Sequence, residues 1–445
     1  MLLIYSQNIT SRHHYIFQFI LKEMLGLEFN FTDSKVAFEK YEGKKLNYSD
    51  EEFPGIASVK PFSLLQEKGI RQFDVSVSEY AGVKSFFKTS GANNFPFDLF
   101  SAAFFLLSRY EEYCPAEIEK ADWEKLKLDK HGRYTAEESL AYKSVFLQQP
   151  VVNLWINQFK DYLKSFYPEI LYKKHSYKFI STIDVDNGYA FKGKSFIKTT
   201  GGIVKSILKG NKAEAMLRLK VVLGLTKDPF DEYDYQRKLK EEFDLEMIYF
   251  MLCGIGSHYD HNIQVFSRTF KDLVRKLQSF SGLGLHPSYA SHFMQHGVSN
   301  EKSNLEIISG REVFKSRQHF LKMQLPDTYQ QLIEAGIKED YSMGYASQPG
   351  FRAGIANPFP FYNLLKEEET QLMLHPFQAM EVTFKDYLKI TADESFFQIQ
   401  EIVKSIKDVD GTFVSIWHDR TFAKSTENIP WINLYEEMLN VANQH

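Results

Sequence analysis

The chain has 445 residues, 44% hydrophobic and 25% charged, and its Phe 39, Tyr 25 and Trp 4 give an aromatic share of 15%. That balance excludes a disordered, collagenous or coiled-coil protein and allows two or three domains with sizeable cores. Lys plus Arg 53 against Asp plus Glu 57 leaves a net charge of −4, so no global basic field points to nucleic acid. The two cysteines, Cys114 and Cys253, cannot build a disulfide framework or a multi-thiolate metal site, so any metal must be held by His and carboxylate.

From the N-terminus, MLLIY reads as a strand. The stretch MLLIYSQNITSRHHYIFQFIL has no basic segment ahead of its first apolar run, and no run of about 18 apolar residues follows, so the expectation is a cytoplasmic protein without a membrane span. FDLFSAAFFLLSRYEEY, at 97–113, predicts a helix with Asp98 as its cap and Pro115 beyond its end. PVVNLWINQFKDYLKSF, at 150–166, predicts another, and the polar junction YKKHSYK follows. The domain boundary is placed there: a smaller α/β domain over 1–172 and a second domain over 173–445.

The second part alternates apolar strands with helical patterns: KFISTIDVD, LEMIYFML, GLGLHPS, EVFKSRQHF and GTFVSIWHD. Strand then helix, repeated, predicts a parallel α/β sheet or barrel, whose reactive side chains collect at the carboxyl ends of the strands. A basic helical insertion interrupts the alternation at about 192–235; between 192 and 227 it holds nine Lys or Arg and one Glu. Such a stretch suits a solvated lid over the active-site face, an anionic membrane or a phosphate-bearing glycan.

Three groups sit where chemistry is expected. Asp184 and Asp186 close the first strand; two acids there repel unless a cation or strong donors compensate, a spacing that lets one bind a divalent ion while the other moves protons. His286 closes GLGLH, with Pro287 behind it. Asp186, His286 and one more imidazole would make the two-His-one-carboxylate set that holds Zn²⁺ or a similar ion with an open position; His292, His319 and His418 are the candidates for the third place. Arg317 lies two residues before His319, on the same side of a strand, and could deliver a donor to the same pocket. His418 ends the last strand; Asp419 beside it faces the other way and need not orient it.

In order and spacing, IDVDN, HPSY, RQHFL and WHD resemble the polysaccharide deacetylase superfamily (NodB homology, carbohydrate esterase 4-like), in the divergent branch whose second motif reads HPSY and third RQHFL. The resemblance covers about residues 175–445. It implies a distorted (β/α) barrel of the NodB type and a hydrolase removing acetyl groups from an N- or O-acetylated sugar. One divalent ion is implied, Zn²⁺ first, with Co²⁺, Mn²⁺ or Ni²⁺ as alternatives. The carried-over roles are Asp184 as base, Asp186 and His286 as metal ligands, and His418 as acid, with His375 of LMLHP competing. The family's second metal His, four residues after the first, is Ala290 here, and RQHFL puts His319 in its place. Arg317, or Arg352 of GFRAG, would fix Asp184 or the product acetate. The implied partner is an acetylated carbohydrate, anionic or lipid-linked if the basic insertion takes part. The alternatives are a non-catalytic carbohydrate-binding protein and a hydrolase of another non-peptide C–N bond. FFLLSRYEEY, DKHGRY and FLQQPVVNLW are similar to the accessory domain that precedes such catalytic domains.

Overall fold

The computed structural model describes residues 1–91, 93–115, 117–254 and 257–444. MLLIY becomes strand β1 (Leu2–Tyr5), flanked by β2 (Phe29–Thr32) and β3 (Lys44–Asn47), with β4 (Ala57–Ser58) on the far side of β3; all four run parallel. The expected helix covers Leu99–Leu107, and every one of its residues is buried. Asp98 caps it by accepting the N–H groups of Phe100 and Ser101, as a short carboxylate at that position should. The helix stops well before residue 113 because Arg109 adopts a left-handed φ of 54° and turns its guanidinium back onto Glu112. A hairpin of β5 (Val77–Tyr80) and β6 (Val83–Phe86) packs on the helix Val151–Phe166, where Trp155 meets Phe86 edge-on at 5.5 Å.

The second sheet has nine strands: β7 (Lys178–Val185), β8 (Glu246–Leu252), β9 (Gly282–His286), β10 (Lys315–Ser316), β11 (Glu339–Asp340), β12 (Phe359–Asn363), β13 (Glu368–Leu374), β14 (Ala379–Met380) and β15 (Thr412–His418). Their order is β12-β13-β11-β10-β9-β8-β7-β15-β14, parallel except for the β12–β13 hairpin. The sheet curls on itself, since Ile180, Phe250, Tyr341, Met380, Val414 and Ile416, from strands far apart in that order, meet in one buried cluster. Among the described residues no ladder joins β12 to β14, so the distorted barrel expected is present as a curled, largely parallel sheet with two edges. β14 is only two residues long, and the chain between β13 and β14 crosses on isolated bonds, Phe377 N–H to Met343 O and Gln378 N–H to Val414 O. The Phe377 ring fills that seam.

The period-two alternation of a strand positions the chemistry. Ile180 of β7 points into the curled interior, so Thr182 and Asp184 point there too, stacked toward the strand end; Val414, Ile416 and His418 do the same on β15. The first sheet and the second share a continuous core. Buried polar bonds also cross between them: the Arg12 guanidinium donates to Glu367 at 2.8 Å and Tyr15 to the Pro360 carbonyl at 2.8 Å. The basic insertion forms a helical hairpin, Phe196–Leu208 and Lys212–Val222, before the helix Tyr233–Glu242. Among the described residues no helix is long and apolar enough to cross a membrane.

Candidate active site and metal centre

At the carboxyl ends of β7, β9 and β15 a cavity of about 100 Å³ is lined by Asp184, Asp186, His286, His319, His418 and Arg420, with Phe320, Leu321, Ala346, Met380 and Val382 as its apolar wall. Asp186, His286 and His319 are all buried, and one ligand atom from each lies within 4.8 Å of the others. His286 Nε2 is 3.3 Å from Asp186 Oδ1, and His319 Nε2 is 3.6 Å from the same oxygen.

The neighbours of each ring explain why the Nε2 atoms converge. His286 Nδ1–H donates to the Arg317 carbonyl at 2.6 Å, and His319 Nδ1–H donates to Asp260 Oδ1 at 2.9 Å. With Nδ1 occupied as donor, Nε2 is left as the lone-pair atom, the arrangement that metal-ligating histidines use. Asp260 is itself held by the N–H of Tyr289 at 2.9 Å and the hydroxyl of Ser257. Burial opposes its charge, but the bond from His319 brings it down to about 2. His286 Nε2 and Asp186 Oδ1 are buried atoms with no hydrogen-bond partner. Two imidazoles and a carboxylate facing one point, with His286 Nε2 and Asp186 Oδ1 unpartnered, fit a divalent cation, and buried polar atoms left in that state are otherwise costly.

Burial disfavours the Asp186 carboxylate, yet His319, His286 and His418 around it hold it far below the ordinary carboxylate range. His286 is raised: burial opposes its protonation, and Asp184 and Asp186 outweigh it. The Arg420 guanidinium contacts the other Asp186 oxygen at 3.2 Å.

Asp184 sits deeper, its Oδ2 3.8 Å from His286 Nε2 and its Oδ1 without a hydrogen bond. Arg317 approaches it, Nη1 to Oδ1 3.9 Å, while Nη2 donates to Thr182 Oγ1 at 2.9 Å. The contact is one-sided rather than forked, because the guanidinium is held over the faces of Phe250 and Phe377, 5.0 and 5.5 Å from their centroids.

His418 faces the cavity from β15. Its Nδ1–H donates to Glu381 Oε1 at 2.9 Å, and the same oxygen accepts the His418 backbone N–H and the Thr421 hydroxyl. Burial lowers the imidazole, but the Glu381 charge more than reverses this and takes it up to about 9. Asp419 turns away, as its alternation predicts, and accepts the N–H groups of Asn187 and Gly188, fixing the loop after the two acids.

Three sequence candidates lie elsewhere. Arg352 is buried against Glu112, Nε to Oε1 2.9 Å, and donates to the Gly344 carbonyl; it takes no part in the cavity. His375 stacks on Tyr341 at 4.3 Å and faces Glu339 in a separate cavity at the amino ends of β7, β8 and β15. His292 lies beside Gln324, and Ala290 only begins a short turn. Conversely, Asp260, Glu381, Arg420 and Arg133 belong to the site and were not singled out from sequence. Arg133, within DKHGRY of the first part, reaches the cavity and donates to the Phe320 carbonyl at 2.7 Å and the Tyr387 hydroxyl at 3.1 Å. It thereby holds the turn after His319, where Phe320 and Leu321 take left-handed φ values of 59° and 51°, a strained form that persists only when its surroundings enforce it.

Residues 2–168 match the model of a family of unknown function, DUF7033. No curated protein matches the chain. Among solved structures, it is similar to a protein from Mycobacterium smegmatis described as a polysaccharide deacetylase, with 11% identity over 60% of this chain and 85% of that one and a TM-score of 0.38. A polysaccharide deacetylase from Bacillus cereus gives 11% identity, the same 60% of this chain, 86% of its own and a TM-score of 0.29. A mutant of a CE4-family pseudoenzyme with restored activity gives 11%, 60%, 64% and 0.24. Likeness of that degree says nothing of this chain's chemistry, for which the geometry of the cavity is the guide.

Proposed function

We propose that the chain is a metal-dependent hydrolase that removes the acetyl group from an N-acetylated sugar. The observation that carries this reading is the convergence, in one cavity, of a buried Asp186–His286–His319 set with a further acid, Asp184, on one side and His418, paired to Glu381, on the other. A cation held by the three ligands, Zn²⁺ being the first choice for two imidazoles and a carboxylate, would supply Lewis acidity that acidifies water and polarises an acyl oxygen.

The chain's own residues supply the rest. Asp184 accepts the proton of the attacking water as the water oxygen bonds to the acyl carbon, with Arg317 Nη1 standing 3.9 Å from its Oδ1. His418 gives its Nε2 proton to the leaving nitrogen as the C–N bond breaks, and acetate and the free amine result. An amide anion is a far poorer leaving group than an alkoxide, so a proton donor aimed at the leaving atom favours the N-acetyl over the O-acetyl substrate. The apolar wall of Leu321, Ala346, Met380 and Val382 in a cavity of about 100 Å³ suits a methyl group. Tyr387 and Phe320 at the rim, with Tyr259 and Tyr289 beside them, offer faces for sugar rings.

The non-catalytic alternative rested on Ala290; His319, oriented by Asp260, weighs against it. Elemental analysis of the purified protein tests the reading: about one equivalent of Zn²⁺, Co²⁺, Mn²⁺ or Ni²⁺, lost in Asp186→Ala and in His319→Ala, with acetate released from acetylated oligosaccharides only by the loaded parent. No metal after reconstitution would sink it.

A further inference from the structure

Among the described residues, eleven of the twenty-seven exposed large apolar side chains lie between Phe196 and Leu225. They belong to the helical hairpin inserted between β7, which ends in the site's acids, and the helix Tyr233–Glu242. In its first helix Phe196, Ile197, Val204, Ile207 and Leu208 share one arc and are 82, 81, 53, 53 and 82% exposed, while Ser206 on the other side is buried. Lys198, Lys205 and Lys209 edge that arc. In the second helix Met216, Leu219 and Leu223 share an exposed face with Lys212 and Lys220.

The base of the hairpin is latched. Asp228 accepts the N–H groups of Ala190, Phe191 and Lys192, and the Arg218 guanidinium lies 4.4 Å from the Phe191 ring centroid. Exposed Tyr259 and Phe266 follow β8, and exposed Phe293 and Met294 follow β9, at the same strand ends.

We propose that this hairpin is a peripheral membrane anchor that seats the strand-end face on an anionic bilayer. Charge decides between a bilayer and a second copy of the chain. Residues 192–227 carry nine Lys or Arg and one Glu in a protein whose net charge is −4. A two-fold dimer through this face would stack that excess upon itself, whereas anionic headgroups neutralise it while the apolar arc enters the acyl boundary. Resting on the hydrolase reading above, the anchor makes a membrane-linked acetylated glycan the substrate class, since its sugar would meet the cavity at the bilayer surface.

The test uses the full chain and sedimentation with vesicles of phosphatidylcholine alone or mixed with phosphatidylglycerol. The protein is expected to sediment with the anionic vesicles only, and less as salt is raised. Binding should be at least ~10-fold weaker for Ile197→Asp/Leu208→Asp and for Lys205→Glu/Lys209→Glu; all four positions are exposed, so folding and acetate release from a soluble oligosaccharide should match the parent. Asp186→Asn should bind vesicles like the parent, which separates the fate of the anchor from that of the hydrolase reading. The anchor is overturned by an absence of sedimentation with anionic vesicles, or by variants that bind as tightly as the parent. It is also overturned by a light-scattering mass showing a dimer that Ile197→Asp/Leu208→Asp converts to monomer, which would give the face to a second copy.

Discussion

Glu381→Gln isolates the charge that keeps His418 protonated. The glutamine oxygen can still accept the three donors that reach Glu381 Oε1, the His418 ring, the His418 backbone and the Thr421 hydroxyl, and its amide replaces Oε2, which has no partner. Only the charge is lost. With it goes the attraction that holds the imidazole at about 9 against an ordinary 6.5, and burial is left to pull the other way. At pH 8 a group of pKa about 9 is ~90% protonated and one of pKa 6.5 ~3%, so kcat should fall ~30-fold there and little below pH 6. The assay is acetate release from an acetylated oligosaccharide across pH 5 to 10. A cation at the adjacent site repels the imidazolium in parent and variant alike, so the displacement of the basic limb between them is the readout. A uniform loss at every pH, with the limb unmoved, would show that Glu381 only shapes the site. Folding follows the same pair. His418, raised above its unfolded value, contributes stability that is complete below about pH 6.5 and lost as pH rises through about 9. Glu381 is held below its ordinary value by His418 despite burial, and its share is lost on acidification instead. The variant's Tm should therefore vary less than the parent's across the alkaline window.

Asp260→Asn removes the charge behind His319 and should weaken metal binding ~10- to 100-fold in a chelator competition; unchanged affinity would mean that ring packing alone aims the imidazole. Arg133→Ala frees the Phe320 carbonyl and Tyr387, so kcat/KM should drop by up to ~100-fold while metal stoichiometry stays the same; parent-like kinetics would remove the first part of the chain from the site. Glu112→Gln leaves the buried Arg352 and Arg109 facing a neutral group and should cost ~3 to 5 kcal/mol of stability by calorimetry. Below its Tm that variant should keep its metal and its rate, since neither arginine lines the cavity; a selective loss of rate would return Arg352 to the catalytic set.

What could be read from sequence followed short-range periodicity. Ile180, Thr182 and Asp184 alternate onto one face of β7, and GLGLH ends where a strand must end, so Asp184, Asp186 and His286 were placed by local pattern. Among the three candidate histidines, His319 was selected only by likeness. It follows a ladder of two residues, and its ring reaches the cavity through a turn with left-handed Phe320 and Leu321 that no local propensity favours. Its support, Asp260, is 59 residues away in the chain, and Glu381 is 37 from His418, so each pairing exists only after the sheet has curled. Arg352 misled for the same reason, its partner Glu112 lying 240 residues upstream. These distances bear on what the first 172 residues do. Arg133 enters the cavity from a segment whose pattern belongs to the other half, and Arg12, Tyr15 and Glu112 bind the halves through buried polar groups that would be orphaned on separation. Composition and periodicity change at the junction, but the candidate cavity is lined from both sides of it. The part read as accessory is therefore a wall of the proposed active site, and substrate specificity would be written partly in DKHGRY.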